Sequence, residues 1–255
     1  MSVSLETRAL SVRFGGHVAV DAVSCAFHTG TLTTIVGPNG AGKTTYFNLI
    51  SGQLRASEGK VLLHGEDLSG LAAAPRTRRG LGRAFQLTNL FPELSVEENV
   101  RLAVQAHSGM GLNLWSVWSS HTALLRRALE ILEAVALAGK RRLLARELAH
   151  GDQRKLEVAL LMALEPDVFM FDEPTAGMSA DEVPVILDLI RRLKARADKT
   201  ILLVEHKMDV VRELSDRVVV LHNGRLVADG APAAVMASDT VREAYLGAAA
   251  GGSRA

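Results

Sequence analysis

Residues Thr34 to Thr45 read T-I-V-G-P-N-G-A-G-K-T-T, and the segment from Gly37 to Thr44 fits G-x-x-x-x-G-K-[ST]. Glycines at 37, 40 and 42 let a backbone wrap a phosphate chain with successive N–H groups pointing inward. In that arrangement Lys43 reaches the β- and γ-phosphates, the Thr44 hydroxyl is placed for Mg²⁺, and the following helix offers its positive end. The whole loop (Gly37, Pro38, Asn39, Gly40, Ala41, Gly42, Lys43, Thr44, Thr45) is therefore the candidate nucleotide-binding set. The pattern arises by chance in on the order of 1% of chains this long, so its setting matters. A β-branched run, Thr31 to Val36, precedes it, and Tyr46 to Ile50 continues without Gly or Pro. Strand, loop, helix is the context the motif requires; a glycine-rich turn ahead of an unrelated helix is the competing reading.

The chain has 255 residues, a formal charge of +1, 48% hydrophobic and 22% charged residues. That is room for one large domain or two small ones, with ordinary globular composition. The charge gives no reason to expect nucleic acid or an anionic membrane as the main partner. Cys25 stands alone in an apolar stretch and reads as a buried structural thiol in a reducing compartment. The longest apolar run, Val158 to Leu164, is far short of a membrane span, and the N-terminus shows no signal peptide. A cytosolic chain is expected, held at a membrane only by something else.

Along the chain, Leu5 to Phe14 and Val18 to Phe27 read as strands joined at Gly15-Gly16. Phe14, on position alone, is expected to cover the sheet in preference to stacking on a base. Lys60 to His64 is a short strand, and the run containing Arg76, Arg78, Arg79 and Arg83 is expected to be a solvated face. Ser95 and Glu98 form a capping box ahead of a helix. Both tryptophans, Trp115 and Trp118, fall in a loop or loose insert between 108 and 120 and read as packing anchors. Thr122 to Leu137 and Asp152 to Leu164 read as helices, the second capped by Asp152. Val168 to Phe171 and Thr200 to Val204 are uninterrupted apolar strands of the kind parallel sheets bury on both faces. Between them lies a helix with Val183, Ile186, Leu187, Ile190 and Leu193 on one face. Arg217 to Leu221 and Leu226 to Ala228 flank an Asn223-Gly224 hairpin turn.

The run Phe169-Met-Phe-Asp172-Glu173 is an apolar strand ending in two carboxylates. An acid there can hold Mg²⁺ through a water, and its neighbour can take a proton from an attacking water. An exposed pair capping a loop is the plainer reading. Gln86 and His206, judged alone, are surface polar residues.

Taken together, the motifs resemble those of the ATP-binding subunits of ABC transporters, from about Leu5 to Gly247. They occur in that family's order: Phe14, the loop Gly37 to Thr45, Gln86, a signature near Leu148 to Gln153, Asp172-Glu173, a D-loop at Ala176 to Ser179, and His206. The resemblance implies an α/β fold, a P-loop NTPase with a RecA-like core, an N-terminal antiparallel β subdomain and an inserted α-helical subdomain. It implies one nucleotide-binding domain over 3–247, with the helical insertion at 87–164 and a flexible tail at 248–255. It also implies ATP and Mg²⁺ as cofactors, with Phe14 stacking on adenine, Gln86 binding Mg²⁺ and sensing the γ-phosphate, and Thr44 and Asp172 holding the metal. Glu173 would be the general base and His206 would hold the γ-phosphate and the attacking water. Two such domains would close around two Mg·ATP, with Ala149 and Gly151 of the signature facing the partner's nucleotide.

The signature departs from the family's LSGGQ. Ala149 replaces the serine that would touch the partner's γ-phosphate, a loss of roughly 1.5–3 kcal/mol for a hydrogen bond to a charged group. Ser179 likewise replaces the usual D-loop aspartate. Arg13 to Gly16, Phe47 to Gly52, Phe85-Gln86 with Leu90 to Val96, Glu205-His206 with Met208, and Tyr245 to Gly247 resemble one subfamily most. It comprises the ATPases of bacterial importers for branched-chain amino acids, amides and urea. That resemblance implies permease partners, indirectly a solute-binding protein, and a place at the cytoplasmic face of the inner membrane. A lipopolysaccharide-type exporter ATPase is the runner-up, although its signature normally keeps the serine. A soluble ABC ATPase working on DNA or ribosomes usually has two nucleotide domains or a coiled-coil insertion. A small-molecule kinase leaves the signature and His206 without a purpose.

Overall fold

The computed structural model describes residues 2–84, 90–108, 122–238 and 241. The chain divides into two units. The first comprises Met1–Arg83, Asp167–Glu173 and Lys194–Ala255; the second comprises Ala84–Pro166 and Pro174–Leu193.

In the first unit, Val3–Phe14 (β1) and His17–His28 (β2) form the expected hairpin, with Phe14 opposite His17. Leu32–Val36 (β3) is buried at every residue and leads through the glycine-rich loop into Lys43–Ser51 (α1). Glu58–Leu63 (β4) and Glu66–Asp67 (β5) extend the hairpin into a four-stranded antiparallel sheet, ordered β2-β1-β4-β5. Ala73–Arg78 (α2) and Leu81–Ala84 (β6) follow.

The second sheet is built largely from later strands: Val168–Asp172 (β7), Thr200–Val204 (β8), Arg217–His222 (β9) and Arg225–Gly230 (β10). Its order is β10-β9-β3-β8-β7-β6, with β9, β3, β8 and β7 parallel. The β9–β10 hairpin turns at Asn223 and Gly224, both with positive φ (49° and 75°), as a two-residue turn of that type demands.

Side-chain alternation along these strands sorts residues into two cores. Ile35, Val219 and Leu221 join Tyr46, Phe47 and Ile50 of α1 and Leu5, Val12 and Phe27 of the antiparallel sheet. Their neighbours Val36, Val218 and Val220 pack instead with Val211 of Met208–Leu214 (α7) and Val235 of Pro232–Ala237 (α8). This period-2 division explains why the central strands read as continuous apolar runs. Cys25 is buried, and burial pushes its thiol up to about 11, which fits an inert packing thiol.

In the second unit, Val96–His107 (α3), Thr122–Ala134 (α4) and His150–Leu164 (α5) pack on one another. The Ser95 hydroxyl accepts from the Glu98 N–H at 3.1 Å and the Glu98 carboxylate accepts from the Ser95 N–H at 3.0 Å, completing the capping box. Helix α4 ends at Ala134 rather than Leu137 because Ala136 turns left-handed (φ 57°); Val135 and Leu137 stay buried, so the apolar pattern outlasts the helix. Val183–Ala195 (α6) buries Ile186, Leu187, Leu189, Ile190 and Leu193. Trp115, Trp118, Gln86 and the Tyr245 to Gly247 segment lie outside the described residues.

Three expectations are corrected. Asp152 does not cap α5: the N-cap is Ala149, with no side-chain cap, and Asp152 stands in the first turn. Phe14 covers no sheet, being 51% exposed at the end of β1. The arginine run is a solvated face only at Arg78 and Arg79. Arg76 is 2% exposed, and its guanidinium donates to the carbonyls of Leu49, Ile50 and Leu71, closing the C-terminal end of α1.

The Arg83 side chain is 5% exposed. It donates to Asp172 Oδ2 at 2.7 Å, Asn48 Oδ1 at 2.6 Å, and Ser51 Oγ and Gln53 Oε1 at 3.0 Å, above the Phe47 ring. Burial pushes the Asp172 carboxyl up and the Arg83 guanidinium down, and the attraction between them opposes both shifts. An arginine this well bonded keeps its charge, so the pair is ionic. Removing one partner of a buried pair costs about 3–5 kcal/mol, whereas removing both can be near neutral. Arg83→Met is therefore expected to lower unfolding stability by about that amount, and Asp172→Asn in the same chain to recover part of it. Denaturant unfolding of the parent chain and the two variants measures this; a loss under about 1 kcal/mol for Arg83→Met contradicts the pairing.

Candidate functional site

The parallel register carries three strand ends to one edge of the sheet. Ile35 of β3 and Asp172 of β7 both pair with Val204 of β8. The chain just beyond each strand then supplies the site: the glycine-rich loop after β3, Glu173 after β7, His206 after β8. The C-terminal edge of such a sheet is where open α/β folds bind ligands.

The loop is held in shape by its surroundings. Gly37 has φ +153°, and a Cβ there would fall 2.1 Å from the Leu221 carbonyl oxygen; at Gly42 (φ +95°) one would fall 2.5 Å from that of Ala19. The Gly224 N–H donates to the Ala41 carbonyl at 3.0 Å, so the β9–β10 turn buttresses the loop from behind. These contacts fix the path of the loop using β2, β9 and the hairpin.

A cavity of about 270 Å³ opens over the loop, lined by Asn39, Gly40, Ala41, Gly42, Lys43, Thr44 and Thr45 together with His17, Ala19, Glu173 and His206. Lys43 lies across its floor and donates to the carbonyls of Gly37 (2.8 Å) and Pro38 (2.9 Å). Burial lowers its pKa, and the negative charges of Glu173 and Asp172 oppose that shift. An ammonium with three donors, two of them on its own loop, leaves one for an anion above.

Glu173 has a left-handed backbone (φ 50°), and its N–H donates to the Val204 carbonyl at 3.0 Å. That turn swings the side chain to His206, whose Nε2 lies 2.6 Å from Glu173 Oε1. Among the described residues no hydrogen bond to Glu173 Oε2 is seen. Asp172, buried beneath, presents Oδ2 to Arg83.

The structure thus gathers Asn39 to Thr45, Glu173 and His206 into one cavity, with Gly37 and Pro38 beneath Lys43 and Asp172 at the adjoining strand end. Phe14 is not among the lining residues, although its cross-strand neighbour His17 is. Gln86 lies outside the described residues. Ala149 and Gly151 belong to the second unit, at the start of α5. Sequence reasoning missed His17, Ala19 and Arg83. Only Arg83 left a signal, a cation a few residues from a recognised motif, and it was masked by its arginine neighbours. Among the described residues no cluster of three His, Cys, Asp or Glu could hold a metal ion.

Residues 20–176 match the ABC transporter family, and residues 225–251 match the branched-chain amino acid ATP-binding cassette transporter family. The chain is 38% identical over 250 residues to the high-affinity branched-chain amino acid transport ATP-binding protein LivG of Escherichia coli K12, covering 96% of this chain and 98% of that one. It is 36% identical over 252 residues to BraF of Pseudomonas aeruginosa, a protein of the same description, with the same coverage. Among solved structures, the ADP conformation of an ATP-binding cassette of an ABC transporter superposes with a TM-score of 0.80 at 29% identity, over 97% of this chain and all of that one. On this evidence the chain belongs to the family of ABC transporter ATP-binding proteins.

Proposed function

We propose that this chain is the ATP-hydrolysing subunit of an importer. It would power uptake of branched-chain or other hydrophobic amino acids, amides or urea through separate permease subunits fed by a solute-binding protein. The observation that carries the catalytic part is the Glu173–His206 hydrogen bond at the mouth of the glycine-rich cavity. The solute class rests on the likeness to LivG and BraF and on the match at 225–251.

In this reading the N–H groups of Gly40 to Thr45 and the start of α1 hold the phosphates, and Lys43 exchanges the Gly37 and Pro38 carbonyls for phosphate oxygens. Thr44, Asp172 and Gln86 would hold Mg²⁺, which when bound neutralises charge on the phosphate oxygens. His206 orients the Glu173 carboxylate through Oε1, leaving Oε2 to take a proton from the attacking water. Phe14, exposed beside His17, would stack on adenine.

A second ABC ATPase subunit would complete each site, presenting the start of its α5 and its Ala176 to Ser179 turn to the nucleotide. Both subunits would sit at the cytoplasmic face of the inner membrane, held there by the permeases; none of the described helices is long and apolar enough to cross a membrane.

Glu173→Gln is expected to keep ATP binding and lose steady-state turnover by about two orders of magnitude or more. ATP titration and phosphate release on the purified variant measure both, and retained turnover removes Glu173 from the role. Ala149→Ser has two expected effects. A hydroxyl at the N-cap of α5 stabilises the fold by about 0.5–2 kcal/mol. Facing the partner's γ-phosphate, it also raises the turnover of the assembled complex. A variant that gains stability without gaining rate separates the two and counts against a turnover cost of the hydroxyl missing at Ala149.

A further inference from the structure

The second unit holds a charged network that the mechanism above leaves unused. Glu182, just ahead of α6, accepts at Oε2 from the Ser179 N–H (3.1 Å) and hydroxyl (3.0 Å), and at Oε1 from Lys155 Nζ (3.1 Å). Lys155, on α5, also donates to Asp152 Oδ1 at 3.0 Å, and Asp152 Oδ2 takes Lys140. Asp152 and Lys155 are buried, and Glu182 is only 25% exposed. The network therefore joins the first turns of α5 to the 176–182 turn through one carboxylate.

The closest point of that joint is Gly151. A Cβ there would lie 2.2 and 2.4 Å from the two Glu182 carboxylate oxygens, closer than any side chain tolerates without displacing them. A second contact lies alongside: a Cβ at Gly177 would meet the His150 ring at 3.1 Å. Glycine inside a helix is ordinarily unfavourable, and the carboxylate gives a steric reason for it here. An anion against the first turn of α5 is also favoured by the helix dipole.

We propose that Glu182 is a positioning residue whose carboxylate fixes the Ala149–Gly151 turn and the Ala176–Ser179 turn in one register, so that they move as a single piece. The proposal rests on the reading above, in which both turns face the partner's nucleotide. One carboxylate then sets where both segments meet it. Since the cavity-lining residues come from the other unit, Glu182 affects turnover and leaves the first capture of ATP alone.

The test has two arms on the purified full chain. In hydrogen exchange without nucleotide, Glu182→Ala is expected to speed exchange at the Ser179 amide and in the first turn of α5 together, with Glu182→Gln in between. In steady-state ATPase, Glu182→Ala is expected to lower kcat about tenfold with KM for ATP unchanged, and Glu182→Gln to restore most of it. In the same exchange measurement Gly151→Ala is expected to speed first-turn exchange of α5 in the parent chain and to add little on Glu182→Ala, because the displaced carboxylate is then gone. Additive effects of Gly151→Ala and Glu182→Ala, or unchanged Ser179 exchange, overturn the proposal. A Lys43→Ala control keeps the two readings apart. If it leaves ATPase unaltered, the hydrolytic reading fails, while the exchange arm still decides whether Glu182 ties the turns.

Discussion

The parallel pairing of β3, β8 and β7 is the constraint on which the site depends. Ile35 and Asp172 share Val204 as a neighbour, so the segments leaving the three strands emerge side by side. A slip of one residue in either pairing would turn every side chain of that strand to the opposite face. It would also separate Glu173 from His206. The register is secured by burial, since β3, β7 and β8 are buried along their whole lengths. The alternation that sends Ile35 into one core and Val36 into the other permits only one alignment.

Around that frame the site is organised before anything binds. The carbonyls of Leu221 and Ala19 press on Gly37 and Gly42, and the Gly224 N–H holds Ala41. Arg83 fixes Asp172 against α1, and Arg76 closes the end of the same helix. The loop's amides therefore need little reorganisation to meet an anion, which is where electrostatic stabilisation is most effective. Lys43, by contrast, donates to the Gly37 and Pro38 carbonyls, which in the proposed reading it would exchange for phosphate oxygens.

Much of this was legible from the residues. The buried strands, the Gly15-Gly16 and Asn223-Gly224 hairpins, the Ser95–Glu98 capping box and the strand–loop–helix setting of Lys43 all follow from local chemistry, and the structure agrees. What was not legible depends on distant partners. Arg76 and Arg83 look like Arg78 and Arg79 in a string of letters; only the carbonyls of α1 and the Asp172 carboxylate distinguish them. Asp152 is a good N-cap type, but Lys155 and Lys140 hold it in the first turn, and the unassisted Ala149 takes the cap position. Phe14 has strand propensity, yet it ends β1 where nothing remains to cover. Gly151 gave no sign of its reason, because the carboxylate that crowds it stands thirty-one positions later in the chain, at Glu182.

The central claim is that a nucleoside triphosphate lies on the Gly37–Thr45 loop with its terminal phosphate toward Glu173 and His206. The most direct measurement is a structure of the Glu173→Gln chain solved with Mg·ATP. The account predicts Lys43 Nζ moved from the Gly37 and Pro38 carbonyls onto the β- and γ-phosphates, His206 within hydrogen-bond distance of the γ-phosphate, and Asp172 still paired with Arg83. Nucleotide bound elsewhere, or Lys43 still bonded to its own loop beneath it, would contradict the account.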